Sequence, residues 1–243
     1  MLRQIFEIAK TVVIASFRKN LLIASWLIML PLLLAAWLFE TSNPGFQSGF
    51  ILDAGGGLMA ILSVVLLAVL AFEHLFWPVE QPAPWFFFSR LKSRAIYLAG
   101  KFIGISFILF SSLLDFSLLL FLIIGITSGT WLVLPFKIAL MVWAEYSLLL
   151  AVFVLLSTFL SRLMSVGMMI PVFFVAHSIN YLKAGFANPL TDILLSILPN
   201  AGLFQNVIEN GDWLNLLTAT GYSILLSAFY IALSGIVLNR RDL

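Results

Sequence analysis

Three ionisable side chains, Asp115, Glu145 and His177, lie within long apolar stretches of the sequence. A charged side chain is costly in the hydrocarbon core of a bilayer, so such residues usually face the interior of a helix bundle or a water-filled cavity. One interpretation is that the three side chains line a pathway for a polar substrate or for protons. The alternative is a hydrogen-bonded pair between helices, for example Glu145 with His177, that fixes their packing. The sequence leaves both interpretations open.

Other patterns typical of catalysis or ligand binding are absent from the sequence. The chain has no cysteine, which excludes a thiolate nucleophile and a cysteine-ligated metal. Its two histidines, His74 and His177, lie in different apolar stretches and form no H-E-x-x-H zinc motif. Neither a G-x-x-x-x-G-K-[ST] loop nor a Gly-x-Ser-Gly sequence occurs, and Asp115 is the one aspartate within a predicted span. We therefore expect no cofactor or metal in this chain, and an enzyme is the poorer prediction.

The composition predicts that the helices carrying these residues are surrounded by lipid. Of the 243 residues, 62% are hydrophobic and 10% are charged, whereas roughly half and a quarter are usual in a soluble domain. A membrane-spanning helix needs about 20 apolar residues, and six segments meet this requirement. They are Leu21–Phe39, Gly56–Trp77, Ile96–Ile124, Trp131–Leu160, Leu163–Tyr181 and Leu214–Leu238. The prediction is an all-α fold in which residues 1–243 form a single transmembrane domain.

The positions of the basic residues predict the orientation of this domain. Eleven of the 13 Lys and Arg residues fall on one side of the predicted spans, and Lys137 and Lys183 fall on the other. Because Lys and Arg concentrate in cytoplasmic loops, both termini are predicted to be cytoplasmic, with the protein in the cell (inner) membrane. The net charge is only +2, and the basic clusters adjoin apolar segments. This pattern favours a lipid surface over a nucleic acid as the partner.

Residues 1–20 are predicted to form an amphipathic helix at the cytoplasmic interface. The apolar positions with helical spacing are Leu2, Ile5, Phe6, Ala9, Val12 and Val13, and much of the opposite face is formed by Arg3, Gln4, Glu7 and Lys10. Such a helix lies with its apolar side in the lipid and its basic side toward the phosphates. The alternative is that the segment simply extends the first span into the cytoplasm.

The cytoplasmic loop 78–95 combines three kinds of residue. It opens with Pro78, Glu80, Pro82 and Pro84, continues with the aromatic run Trp85–Phe88, and ends with Arg90, Lys92 and Arg94. The prolines end the preceding helix. The loop has the pattern of a short docked element, with its aromatic side buried and its basic side exposed. Composition alone favours the alternative, an interfacial anchor of basic and aromatic residues.

The outward segment 183–213 is too polar to span the membrane. It contains an apolar stripe with helical spacing, an interruption at Pro199 and Gly202, and a second short apolar stretch over 203–208. The stripe is formed by Leu190, Ile193, Leu194, Ile197 and Leu198. The pattern predicts two short half-helices that enter the outer leaflet part way, or a small amphipathic cap.

The stretch 87–102 resembles the cytoplasmic loop of the ABC-2-type transporter permeases. In that family an acidic residue, a Ser-Arg pair, an aromatic residue and a Gly-Lys pair lead into the third span. The matching residues here are Ser93-Arg94, Tyr97 and Gly100-Lys101, with Glu80 as the candidate acidic residue. The ending 239–243, Asn-Arg-Arg-Asp-Leu, is also similar to the usual end of the family, as is the six-span order with an outward insert. The proline-rich approach 78–84 departs from the family, which more often continues helically there.

This resemblance implies a function that the residues alone do not. These permeases work as dimers of two copies or homologues and bind two separate cytoplasmic ATPase subunits, which hold ATP and Mg²⁺. The resemblance implies ATP-driven transport, most often export. Because the predicted spans are apolar with few charges, an amphipathic or lipid-like substrate is favoured. The resemblance makes the N-terminal helix and the loop 78–95 the ATPase contacts. The implied coupling residues are Glu80, Arg90, Lys92, Arg94 and Arg162, and the candidates for the substrate path are Asp115, Glu145 and His177.

Three other functions fit the same composition. A gradient-driven secondary transporter would use Asp115, Glu145 or His177 for ion coupling and would work without ATP. An intramembrane enzyme would show turnover in detergent without a partner, and would lose it when one of those side chains is replaced. A membrane scaffold would recruit a cytoplasmic protein without transporting anything.

Overall fold

The computed structural model describes residues 1–19, 26–27, 30–31, 33–34, 37–38, 49–76, 93–129, 131–185, 195, 198–210 and 212–240. Throughout these ranges the chain forms helices and short turns, with no strand. The helices are α1 (Leu2–Arg18), α2 (Gly49–Ala71), α3 (Arg94–Ser128), α4 (Leu134–Phe159), α5 (Arg162–Gly167), α6 (Met169–Gly185), α7 (Gly202–Asn210) and α8 (Trp213–Arg240). A π-helical turn, Phe72–Phe76, continues α2.

Five helical segments among the described residues are long and apolar enough to cross a membrane. They are Ile51–Leu75, Ala95–Ile126, Leu134–Phe159, Leu163–Gly185 and Trp213–Leu238. They coincide with the second to sixth spans predicted from the sequence, and the protein is an all-helical, multi-pass membrane protein. Of the first predicted span, Leu21–Phe39, the described residues are helical and Leu33 is buried in the core. The rest of that span lies outside the described residues.

Two span boundaries differ from the sequence prediction for local reasons. The second span was predicted to start at Gly56, but α2 begins at Gly49 and includes Gly55–Gly57 in its interior. A Cβ on Gly55 would lie 2.5 Å from Leu120 Cδ2 of α3, so this glycine allows close packing. The fourth span was predicted to start at Trp131, but α4 starts at Leu134. Pro135 lies in the first turn of α4, where proline is favoured because no backbone N–H is needed there.

The helices pack in alternating directions around α4. In the most apolar 18-residue stretch of α4, 78% of the residues are buried. The corresponding share is 28% in α8 and 22% in the span formed by α5 and α6. At one end of the bundle, α2 finishes and α3 begins, and a Cβ on Gly235 near the end of α8 would lie 2.5 Å from Ala95 Cβ. At the other end, α4 and α8 both begin, and Lys137 Nζ lies 4.7 Å from the centre of the Trp213 ring. We call these the basic end and the far end.

The N-terminal helix α1 packs closely against the start of α3. The contact lies at Gly100 and Gly104, which are one helical turn apart on α3. A Cβ on Gly100 would lie 2.7 Å from Ile8 Cβ, and one on Gly104 would lie 2.7 Å from Val12 Cβ and 2.9 Å from the carbonyl oxygen of Ala9. Glycines at i and i+4 let two helix backbones approach directly, and such contacts drive helix association in lipid. The sequence analysis predicted an interfacial helix over residues 1–20. It did not predict that this helix docks on α3.

The outward segment 183–213 is described only in part. Of the apolar stripe predicted over Leu190–Leu198, Leu198 is described and the other stripe positions lie outside the described residues. The second predicted stretch, 203–208, lies within α7. The start of α7 is joined to α6, because Ala201 N donates to the Ala176 carbonyl oxygen at 3.1 Å and Asn200 Nδ2 donates to Asn180 Oδ1 at 3.0 Å.

We expect Gly104→Ala to destabilise the protein by separating α1 from α3. The new methyl group would meet backbone and Cβ atoms rather than a flexible side-chain end, and overpacking of this kind costs about 1–3 kcal/mol. The matched control is Gly221→Ala in α8, where a Cβ would meet nothing within 4 Å. Thermal unfolding in detergent should show a lower midpoint for Gly104→Ala and no loss for Gly221→Ala. An unchanged midpoint for Gly104→Ala would contradict the close contact.

Candidate functional site

The structure brings Glu145 of α4 and His177 of α6 into direct contact. His177 Nε2 lies 3.1 Å from Glu145 Oε1, and the two side chains are 34% and 12% exposed. The other ring nitrogen, Nδ1, lies 3.0 Å from the carbonyl oxygen of Phe173, one turn earlier on α6. The Phe173 ring also packs on the imidazole, with ring centres 4.1 Å apart. The imidazole is thus held in place on its own helix and faces the carboxylate of the neighbouring helix.

These contacts determine where the protons of the imidazole can lie. A carbonyl oxygen only accepts hydrogen bonds, so Nδ1 carries a proton in the tautomer that donates to Phe173. A neutral imidazole then has a lone pair on Nε2, which faces the Glu145 carboxyl group. Two unprotonated acceptors at 3.1 Å would repel each other. The contact is therefore stable when the pair carries a further proton, either on Nε2 or on the carboxyl group.

The contact between His177 Nε2 and Glu145 Oε1 is close but imperfectly aligned. Although Nε2 is close to Oε1, this oxygen is buried and has no partner in good hydrogen-bond geometry among the described residues. A buried carboxylate oxygen without a well-aligned donor raises the free energy of the folded state. It also leaves room for small movements of α6 to improve or to break the contact.

Asp115, the third candidate, is not part of this pair. It lies on α3, half-buried, and no hydrogen bond or ion pair joins it to another described residue. The pathway interpretation placed Asp115, Glu145 and His177 together. Of these three residues, the described contacts join Glu145 with His177, the pair that the packing alternative named, and a path shared with Asp115 stays a prediction.

The implied coupling residues lie mostly beyond the described residues. Glu80, Arg90 and Lys92 fall in the range 77–92, which the structure does not describe. Arg94 and Arg162 are the first residues of α3 and α5, and their side chains also lie outside the description. Their predicted role stays a prediction.

A second polar cluster, at the basic end, was missed by the sequence analysis. Ser16 Oγ of α1 is hydrogen-bonded to His74 Nε2 at 2.8 Å, and both side chains are buried. One turn further along α1, Lys19 Nζ lies 3.2 Å from Glu73 Oε2. Glu73 and His74 both belong to the π-helical turn that continues α2. The available signal was that Glu73 and His74 lie inside the second predicted span, where polar residues need partners.

A cavity of about 230 Å³ between α3, α4 and α8 was also missed. Four serines and Trp143 contribute to its lining. Ser106 Oγ and Ser147 Oγ are 2.9 Å apart, and Trp143 Nε1 donates to the carbonyl oxygen and the hydroxyl group of Ser106 at 3.1 and 3.0 Å. Ser223 donates to the Ala144 carbonyl oxygen. Serine is common in membrane helices, so its presence in three spans was not a distinctive signal.

We expect Glu145→Ala to destabilise the contact between α4 and α6. It removes the partner of His177 Nε2 and leaves a half-buried polar atom unpaired, at a cost of about 1–3 kcal/mol. Glu145→Gln is the matched control, since its amide N–H can donate to Nε2 without an added proton. Thermal unfolding in detergent should rank the variants with Glu145→Ala well below Glu145→Gln. Equal midpoints for the two variants would show that the contact does not stabilise the fold.

We compared the sequence with the models of known protein families and with curated proteins. The chain matches no model of a known protein family, and no curated protein is similar to it at a significant level.

Proposed function

We propose that this chain is the membrane-spanning permease subunit of an ATP-driven transporter of the ABC-2 type, working as an exporter. In this proposal it has six spans, the first over Leu21–Phe39, and lies in the cell (inner) membrane with both termini in the cytoplasm. Two permease copies or homologues pair, and separate cytoplasmic ATPase subunits bind ATP and Mg²⁺. This chain supplies the path and the gate and hydrolyses nothing itself.

The observation that carries the proposal is the way α1 is attached to two spans at the basic end. Its backbone packs on α3 at Gly100 and Gly104, and its last turns are joined to the end of α2 by the Ser16–His74 and Lys19–Glu73 contacts. A cytoplasmic protein that pushes on α1 would therefore act on α2 and α3 together. Rigid attachment of this kind is what converts the motion of a partner into a rearrangement of helices.

The residues that carry the family resemblance have structural roles at the same place. Ser93 caps α3, with its Oγ accepting from Ala95 N at 3.2 Å. Gly100 provides the contact with α1, and Lys101 Nζ lies 5.5 Å from the centre of the Tyr97 ring. A firm start to α3 supports the proposal, because the loop 78–95 enters the membrane there and would transmit force from an ATPase.

The surface of α1 supports an interfacial position at the cytoplasmic side of the membrane. Leu2, Phe6 and Phe17 are exposed apolar residues, at 83%, 70% and 52%. Arg3, Glu7 and Lys10 are exposed on the same short helix. A helix with exposed apolar side chains and exposed charges is suited to the boundary between acyl chains and headgroups.

The proposed partner is tested by purifying the tagged chain in mild detergent and identifying what co-purifies. We expect an ATPase subunit in equal stoichiometry, ATPase activity in the complex, and loss of both when Arg90, Lys92 and Arg94 are changed to Glu. Lys183→Glu, on the outer side in this proposal, is the control and should keep the complex intact. Recovery of the chain alone after gentle extraction would overturn the proposal.

The proposed orientation is tested with single cysteines, since the natural chain has none. Lys10 in α1 and Val133 before α4 are both exposed. A membrane-impermeant maleimide added to intact cells should label Val133→Cys and should label Lys10→Cys only after permeabilisation. The reverse pattern would place the termini outside.

A second candidate function is favoured by the Glu145–His177 pair. A gradient-driven transporter needs a site in the membrane that gains and loses an ion, and a carboxyl group next to an imidazole has the chemistry for a proton. Such a protein would transport in vesicles under a proton gradient, without ATP and without a partner. Transport that persists in the purified chain and stops in Glu145→Gln would favour this candidate over the permease.

A further inference from the structure

We propose that the Glu145–His177 pair is a proton-binding site that holds α6 against α4, so that loss of one proton releases α6. The ligand is a single proton, and the responding element is the helix that carries His177. This inference goes beyond the permease proposal and does not depend on it, because it concerns two helices of this chain alone.

The first argument is the fixed state of the imidazole. The Nδ1 proton is held by the Phe173 carbonyl oxygen at 3.0 Å on the same helix, so moving α6 does not disturb it. Nε2 is the atom that faces the neighbouring helix, 3.1 Å from Glu145 Oε1. In the tautomer that keeps a proton on Nδ1, a proton gained or lost at Nε2 or at the carboxyl group changes the contact between helices and leaves the contact within α6 intact.

The second argument is electrostatic. With one shared proton the pair is net neutral, either as carboxylate and imidazolium or as carboxylic acid and imidazole. Without that proton, a full negative charge on Glu145 faces the lone pair of Nε2 at a side chain that is only 12% exposed. A buried carboxylate without a donor is strongly unfavourable in a low dielectric. Separation of α4 and α6 lets water reach the carboxylate and relieves this cost.

The third argument is that α6 belongs to the span with the smallest buried share, 22%, among the five candidate spans of the described residues. The helix α6 has two buried residues, Ala176 and Ile179, whereas α4 has sixteen. Exposed apolar side chains cover much of its surface, among them Ile170 at 65% and Phe174 at 64%. Elements with few buried contacts open at low free energy.

No other charged group in the described residues takes over the role of this pair. The titratable groups on the helices packed around it are Tyr146 and Lys137 on α4, Tyr181 and Lys183 on α6, Asp53, Glu73 and His74 on α2 and its π-helical turn, Tyr97, Lys101 and Asp115 on α3, and Tyr222 and Tyr230 on α8. Tyr146 is next to Glu145 in sequence, and no described ion pair or hydrogen bond joins any of these groups to the pair. The side chains of Arg162 in α5 and Glu209 in α7 lie outside the description.

The proton is detected by ¹⁵N NMR of the imidazole rings in the purified full chain, labelled at histidine. The chain has two histidines, so the ring signals that change in Glu145→Gln belong to His177. We expect Nδ1 of His177 to stay protonated, and Nε2 to be protonated or strongly hydrogen-bonded until one step of deprotonation at rising pH. In Glu145→Gln this step should be absent, because the amide replaces the proton. A free, unprotonated Nε2 in the wild type at every pH would overturn the site.

The release is detected with a nitroxide on Tyr181→Cys, at an α6 position that is 82% exposed. Its mobility should rise over the pH range of the NMR step in the wild-type background and stay low in Glu145→Gln. A label on Leu225→Cys of α8, at a position 74% exposed, controls for general loosening and should not respond. Equal responses of the Tyr181 label with and without Glu145, or no response in either, would overturn the release.

The outcome is separable from that of the permease proposal. Both measurements use this chain without a partner, so a missing ATPase leaves them unaffected. Conversely, a pair that does not titrate would leave the co-purification result unchanged.

Discussion

Close contact between backbones at glycine residues is the interaction on which the rest of this structure depends. In lipid, apolar side chains are solvated as well by acyl chains as by each other, so burial alone does not hold helices together. Gly55, Gly100, Gly104 and Gly235 each remove a side chain where two helices meet. At Gly100, Gly104 and Gly235 the facing segment comes close with backbone or Cβ atoms, whereas Gly55 faces the end of the Leu120 side chain. Dispersion contacts are gained at each of these points.

Buried polar pairs add specificity to this packing. Ser16 with His74, Ser106 with Ser147, and Glu145 with His177 each join two different helices at a position surrounded by apolar residues. Each pair contributes only modestly to the stability of the fold, because a separated polar group also finds partners elsewhere in the membrane. Their value lies in defining which faces meet. The two pairs that contain histidine differ from the serine pair, since a proton can change how they bind.

The two histidine pairs lie at different levels of the bundle and involve different helices. His74 joins α1 to the π-helical turn after α2, at the basic end, while His177 joins α6 to α4. π-helical turns within α-helices are frequent at functional sites. An arrangement with a firm attachment at one end and a weakly packed helix elsewhere is suited to a protein that must move. In the proposed permease, the partner would act at the basic end, and α6 would be an element free to respond.

The sequence by itself determined the helical membrane fold, the approximate extent of five spans, and Asp115, Glu145 and His177 as ionisable residues within them. This was possible because the length and the apolar composition of a segment, both local properties, decide whether it can span a bilayer. Only the tertiary structure decided that Glu145 meets His177 and leaves Asp115 apart, that α1 docks on Gly100 and Gly104, and that Ser16 and Lys19 reach the end of α2. A helix presents side chains all around its axis, and its hydropathy is nearly the same on every side in these spans. Which side faces which neighbour is therefore set by contacts between segments far apart in sequence, and a single sequence does not contain that information in readable form.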